Sequence, residues 1–177
     1  PLAQQGLWLA LGLGLLSMLI LRSMAPVLHL MDVDETIRPL VQGYLDALSW
    51  GMPGAAVLLA LRSYTEAMNH TRPVLLISVA GLLINIPANY LLIYGKLGLP
   101  ALGGVGCGWA TSLVMWSMAL MMAGYIKRHP VYRPARLTLG QRHWEPSSLA
   151  YMLRLGLPVG LSIFFEVSIF AVIALLI

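Results

Sequence analysis

Five apolar runs constrain this chain more than anything else in it. A helix that crosses a bilayer needs about 20 mostly apolar residues to cover about 30 Å of hydrocarbon. Residues 6–28, 39–61, 73–94, 104–126 and 149–177 each meet that length. The runs are too long and too uniformly apolar for the alternating strands of a membrane barrel. The expected fold is therefore all-α, a polytopic membrane bundle. Composition agrees: 59% of residues are hydrophobic and only 10% charged, whereas a soluble domain carries about 25% charged residues.

Charge sets an orientation. Cytoplasmic loops are enriched in Lys and Arg. The loop between the fourth and fifth runs carries Lys127, Arg128, Arg133, Arg136 and Arg142, with Arg154 just beyond. The loop between the second and third holds Arg62 and Arg72. The other two are poor in positives. "HLMDVDETIR" sets Asp32, Asp34 and Glu35 against Arg38, and "YGKLGLPALGG" offers only Lys96. This alternation predicts a cytoplasmic N-terminal end and cytoplasmic loops at 62–72 and 127–148. A net charge of +4 would suggest nucleic acid in a soluble protein. Here the positives flank apolar runs, so membrane orientation explains them and no nucleic acid is expected. Arg22, late in the first run, reads as a side chain snorkelling to the interface, with a functional role as the alternative.

The single cysteine, Cys107, excludes an internal disulfide and a multi-cysteine metal site. Pro1 is not an initiator methionine, the opening has no basic n-region or cleavage site, and Ile177 stops within an apolar run. These features are expected of a piece of a longer protein.

Glu166, in "SIFFEVSIF", has no charged neighbour from Leu155 to Ile177. It stands eleven residues from either end of that stretch, about 16 Å at 1.5 Å per residue, near the bilayer midplane. A charge there costs about 2.5–3.5 kcal/mol on insertion scales, and burial favours the protonated carboxyl. Such a group can take up a proton or cation and release it when water or a partner charge arrives. The alternative is a permanently protonated Glu bonded between helices.

"NIPAN" puts Asn85 and Asn89 four apart, on one helix face. Pro87 between them has no N–H, so the carbonyl of Leu83 loses its helical partner. These oxygens can coordinate Na⁺ or bond a carboxylic acid; ordinary interhelical hydrogen bonding stays open. "GGVGCGWAT" fails as a dinucleotide loop, having no strand before it and no acid about 20 residues on. Its Gly104 and Gly108 form GxxxG, expected to pack helices closely in lipid. Cys107 and Thr111 share a face, and Thr111 could complete a site with the asparagines. "WGMPG" is expected to kink the second run at Pro53. Asp46, one turn before that stretch, either faces a polar interior or lies near headgroups. The ten methionines read as gap fillers between helices. His29, His70, His129 and His143 lie in loops or at run ends with no metal spacing. No nucleophile motif is visible, so no catalytic residue and no enzyme activity are expected.

Taken together, "LRSYTEAMNHTRPVL", "NIPANYLLIYGKLGLPALGGVGCGWAT" and "LRLGLPVGLSIFFEVSIF" resemble the MATE family of multidrug and toxin extrusion transporters, close to its bacterial NorM branch. That family has twelve membrane helices in two six-helix lobes. The resemblance implies that residues 1–148 are helices three to six of the N-terminal lobe, with an inter-lobe cytoplasmic loop at about 127–148. Residues 149–177 would be the first helix of the C-terminal lobe, truncated. It implies export of small cationic organic compounds in exchange for Na⁺ or H⁺ across the bacterial inner membrane, by a protein that is monomeric when intact and has no cofactor. Glu166 matches the second-lobe cation-coupling carboxylate, and Asn85, Asn89 and Thr111 match polar positions of the first-lobe cation site, so Na⁺ could sit at either place. The family's acidic residue on its first helix lies outside this chain. Two rival functions are a lipid-linked precursor flippase, which would favour a basic cavity, and an ion channel, which would favour rings of like residues or a filter loop.

Overall fold

A computed structural model describes residues 2–23, 35, 37–96, 101–130, 132 and 146–176. Asp32, Asp34, His29, Arg133, Arg136, Arg142, His143 and the predicted end of the first run at 24–28 lie outside the described residues. Among the described residues six helices follow in order: α1 (Leu2–Arg22), α2 (Arg38–Ser49), α3 (Gly51–Ala67), α4 (Arg72–Tyr94), α5 (Gly104–Arg128) and α6 (Pro146–Leu176). No strand occurs among the described residues. Among the described residues five stretches are long and apolar enough to cross a membrane, α2 and α3 together forming one of them, Arg38–Ala67.

The helices begin and end for local reasons. Asn69 adopts φ 57°, a left-handed conformation that Asn tolerates better than most residues. The His70 N–H then reaches the Thr65 carbonyl at 3.0 Å, closing α3 in a Schellman-type turn. Pro73 opens α4, where its missing N–H costs nothing. At the far end of α4, Gly95 is left-handed and its N–H reaches the Leu91 carbonyl at 3.0 Å. The carbonyls of Leu92 and Ile93 would be left over there. The N–H groups of Leu102 and Gly103 take them, at 3.1 and 3.3 Å.

The chain divides into two compact units, residues 7–137 and residues 1–6 with 138–177. In the larger unit α5 is the hub, packed on α2, α3 and α4. Its glycines permit this. A Cβ on Gly106 would sit 2.5 Å from the Leu92 carbonyl oxygen, and one on Gly108 would sit 2.9 Å from that of Tyr44. Close approach therefore falls to Gly106 against α4 and Gly108 against α2. Gly104, the other half of the predicted GxxxG pair, has nothing within 4 Å. One core cluster lies where α3 and α5 end and α4 begins: Leu61, Val74, Ile77, Met122, Ile126 and Tyr132. Tyr132 meets the rings of Tyr64 and Tyr125. Burial, then the neighbouring Tyr125 and Tyr64 phenols, hold its hydroxyl above the ordinary tyrosine range. Leu75, Leu76, Leu82, Leu83 and Ile86 of α4 are exposed, as lipid-facing or helix-facing side chains of a span would be.

The second span does not kink at Pro53 itself. It breaks three residues earlier, at Trp50, between α2 and α3. A proline ring clashes with the carbonyl four residues before it, here that of Ser49, so the fault falls on the Ser49–Trp50 turn.

In the smaller unit α6 is a 31-residue helix with Pro158 inside it. Its described side chains are mostly exposed.

Candidate functional site

The asparagine pair forms as its spacing predicts. The Asn89 Nδ2 group donates to Asn85 Oδ1 and to the Asn85 main-chain carbonyl, both at 3.0 Å. That leaves Asn89 Oδ1, a buried carbonyl oxygen with no partner among the described residues. Leaving a buried polar atom unsatisfied costs about 1–3 kcal/mol. α4 stays continuous through Pro87, which supplies no N–H to the Leu83 carbonyl.

Thr111 approaches from α5. Gly106 abuts Leu92 and Ile93, and Gly81 abuts Met118. The antiparallel register between those contacts sets Thr111 level with Ala88, between the two asparagines along α4. Thr111 Oγ1 donates to the Cys107 carbonyl at 2.9 Å. No hydrogen bond joins it to either asparagine among the described residues. With its proton committed to its own helix, the hydroxyl oxygen keeps its lone pairs free to accept. These groups are all neutral oxygens, an unpartnered amide carbonyl, a second amide oxygen, a hydroxyl and a proline-freed main-chain carbonyl, but among the described residues only the two amides are joined by a contact. Hard cations take oxygen ligands of this kind. Among the described residues no three His, Cys, Asp or Glu side chains gather as metal ligands.

Glu166 lies on α6, in the other unit, and its residue is exposed there. It carries no ion pair among the described residues; the one pair present is Arg62 with Glu66, at 2.8 Å and exposed.

Sequence reasoning passed over a polar seam between α5 and the break in the second span. Ser112 Oγ donates to the Ala47 carbonyl at 2.6 Å, and Trp116 Nε1 to the Trp50 carbonyl at 2.9 Å. The two donors are four apart on α5, the spacing that drew attention to Cys107 and Thr111. Gly51, whose Cβ would lie 2.8 Å from Ser112 Oγ, was the available signal. Arg22, though exposed, contacts the second span: its Nε lies 3.4 Å from Ser49 Oγ and its guanidinium 5.2 Å from the centre of the Trp50 ring.

Comparison with known proteins is consistent along the chain. The MatE family model matches residues 1–91. Over 176 residues the chain is 43% identical to the probable multidrug resistance protein NorM of Idiomarina loihiensis. It is 43% identical over 174 residues to the multidrug resistance protein MdtK of Edwardsiella ictaluri, and 44% over 175 to MdtK of Yersinia pestis. Each alignment covers 98% of this chain and 38% of the relative, so the chain spans well under half the length of the curated proteins it matches. With just over half of its residues matched by that model and five membrane-crossing stretches, the chain belongs to the MatE family.

Proposed function

We propose that this chain serves in a secondary active antiporter of the bacterial inner membrane, one that exports cationic organic compounds in exchange for Na⁺ or H⁺ by alternating access. What carries the reading is the likeness of 43–44% across 98% of the chain to proteins named for multidrug resistance. The site chemistry supports it. Glu166 is a carboxylate in a helix with no other charge after Arg154. Asn85, Asn89 and Thr111 supply neutral oxygens at one level of α4 and α5.

Coupling follows from exclusion. An ion on Glu166 neutralises the charge that a cationic compound seeks, so the two compete for one carboxylate. The neutral oxygens have no such charge to lose and suit a small desolvated cation. One elementary charge moving through 100 mV releases about 2.3 kcal/mol, enough for about a 50-fold concentration ratio. Positive residues on the 62–72 and 127–148 loops make those the cytoplasmic ones.

The test is dye efflux from vesicles carrying the intact protein, with pH and Na⁺ gradients varied separately. Glu166→Gln is expected to reach the membrane and lose ion-driven efflux. Undiminished efflux by that variant would refute the coupling role. A response to the Na⁺ gradient alone, or to the pH gradient alone, identifies the driving ion.

A further inference from the structure

A second site lies elsewhere in the larger unit. A cavity of about 500 Å³ opens where α1 ends and α5 begins, beside the second half of α2 and its break, and Arg22, Asp46, Trp50 and Trp109 help line it. This end is opposite the one carrying Lys127 and Arg128. Its volume is within the range of drug-sized ligand sites. Two features of its wall point to a ligand.

The first is charge. Arg22 and Asp46 share the cavity yet form no ion pair, and Asp46 has no partner on its carboxylate among the described residues. The arrangement is built. Ser49, fully buried, donates from Oγ to the Asp46 main-chain carbonyl at 2.7 Å and accepts from Arg22 Nε at 3.4 Å. The Trp50 ring supports the guanidinium plane from 5.2 Å, a cation–π distance. Arg22 is thus held by a neutral hydroxyl and an indole, and the acid beside it is left unused.

The second is aromaticity. Trp50 and Trp109 are 47% and 42% exposed, so two indoles offer surface to the same cavity. Indole faces take flat rings and cations.

We infer that this cavity is a binding site for an aromatic zwitterion, with Asp46 taking the ammonium, Arg22 the carboxylate and the two tryptophans the ring. A plain cation would gain Asp46 and meet repulsion from Arg22; a plain anion would meet the reverse. Only a ligand carrying both charges satisfies both groups, and like-charge contacts are what interfaces use to reject partners. The site goes beyond the proposed antiport function, since it shares no residue with the Asn85–Asn89–Thr111 group or with Glu166.

The experiment uses the intact protein in lipid nanodiscs and two fluorescent probes. Nε-dansyl-lysine carries an aromatic ring with both an ammonium and a carboxylate. Dansylcadaverine is its analogue without the carboxylate. Binding is read as energy transfer from tryptophan to dansyl, corrected with empty nanodiscs. In the Glu166→Gln protein, where the export site no longer attracts a cation, the zwitterion should bind saturably and about tenfold tighter than the cation. Arg22→Gln should weaken the zwitterion to the level of the cation and leave the cation no weaker. Asp46→Asn, which is nearly isosteric, should weaken both probes about tenfold. Arg22→Lys keeps the charge and should keep the order of the probes, which guards against a folding defect in the Gln variant. Glu166→Gln should bind the zwitterion as the unaltered protein does, so loss of export and loss of this site are read apart. Absence of saturable transfer, equal affinity for the two probes, or indifference to both Arg22→Gln and Asp46→Asn would overturn the inference. So would loss of zwitterion binding in Glu166→Gln.

Discussion

Two spans of the larger unit contain a proline, and they treat it in opposite ways. Three residues before Pro53, at Trp50, the helix breaks into α2 and α3. At Pro87 the helix runs on from Arg72 to Tyr94. The covalent defect is the same in both, a missing N–H and a ring pressing on the carbonyl four residues back. The surroundings differ. Near Pro53 stand Gly51 and Gly54, which let α5 come so close that a Cβ on either would meet Ser112 or Trp116. Those two side chains donate to the Ala47 and Trp50 carbonyls, so the break is stabilised from the neighbouring helix. Near Pro87 no such donor arrives among the described residues. The nearby amides bond to each other, and one carbonyl oxygen is left over. The break beside a proline is closed off where a neighbour supplies donors. Where none is supplied, its oxygens stay available to something else.

The harshest way to break this contrast is Gly51→Ala. The new Cβ would lie 2.9 Å from the Ser112 Cα, a backbone atom that cannot step aside. Overpacking of this kind costs about 3 kcal/mol, read as a lower denaturation midpoint of the purified protein in detergent. A midpoint equal to that of the unaltered protein would show that α5 does not hold the break. Pro87→Ala should act in the other direction. It restores an N–H for the Leu83 carbonyl and removes the ring clash, so it should raise stability by about 2 kcal/mol, most of the intrinsic helix penalty of proline. Pro53→Ala should give less, because the break beside it is already held by the Ser112 and Trp116 donors to the Ala47 and Trp50 carbonyls. Equal gains at the two prolines would erase the distinction.

Trp116→Phe is milder. It keeps the ring against Gly54 and deletes only the donor to the Trp50 carbonyl. The Trp116 residue is partly exposed, so water or headgroups can replace some of the bond. The expected loss is about 1 kcal/mol, the usual net worth of one hydrogen bond, by the same denaturation assay.

How much of this was legible in the sequence differs between the two prolines. The third and fourth runs were read within two residues of α4 and α5, because run length and a Pro or Gly boundary mark helix ends in the chain itself. The Asn85–Asn89 bond was legible too, since it needs only the four-residue spacing of one helix. The position of the break was less so. Pro53 announces a fault, but its site at Trp50 reflects where the ring presses and which carbonyls α5 can reach. Gly104 and Gly108 looked like a pair by spacing. Only the packing of α5 against two different helices makes Gly106 and Gly108 the close approaches, leaving Gly104 in open space. Arg22 and Asp46 stand 24 residues apart in the sequence. Their shared cavity depends on how α1 and α2 pack, which no local pattern encodes.

The smallest expected effect on stability is the most telling for function. Asn89→Leu deletes the two bonds that Nδ2 makes to Asn85, and each is worth about 1 kcal/mol net. It also deletes the unpartnered buried Oδ1, whose desolvation cost is of the same order. The new side chain fills the space with apolar atoms in a helix that already carries a lipid-compatible surface. These terms oppose each other, so the denaturation midpoint should barely move. If the leftover oxygen is there to meet a cation, the same substitution should nonetheless remove the ion dependence of efflux. Asn89→Ser, which keeps a short oxygen, should retain part of it. A large loss of stability in Asn89→Leu would mean that the amide pair mainly ties α4 together. The contrast with Pro53 would then reduce to two ways of holding a damaged helix, with no oxygen kept in reserve.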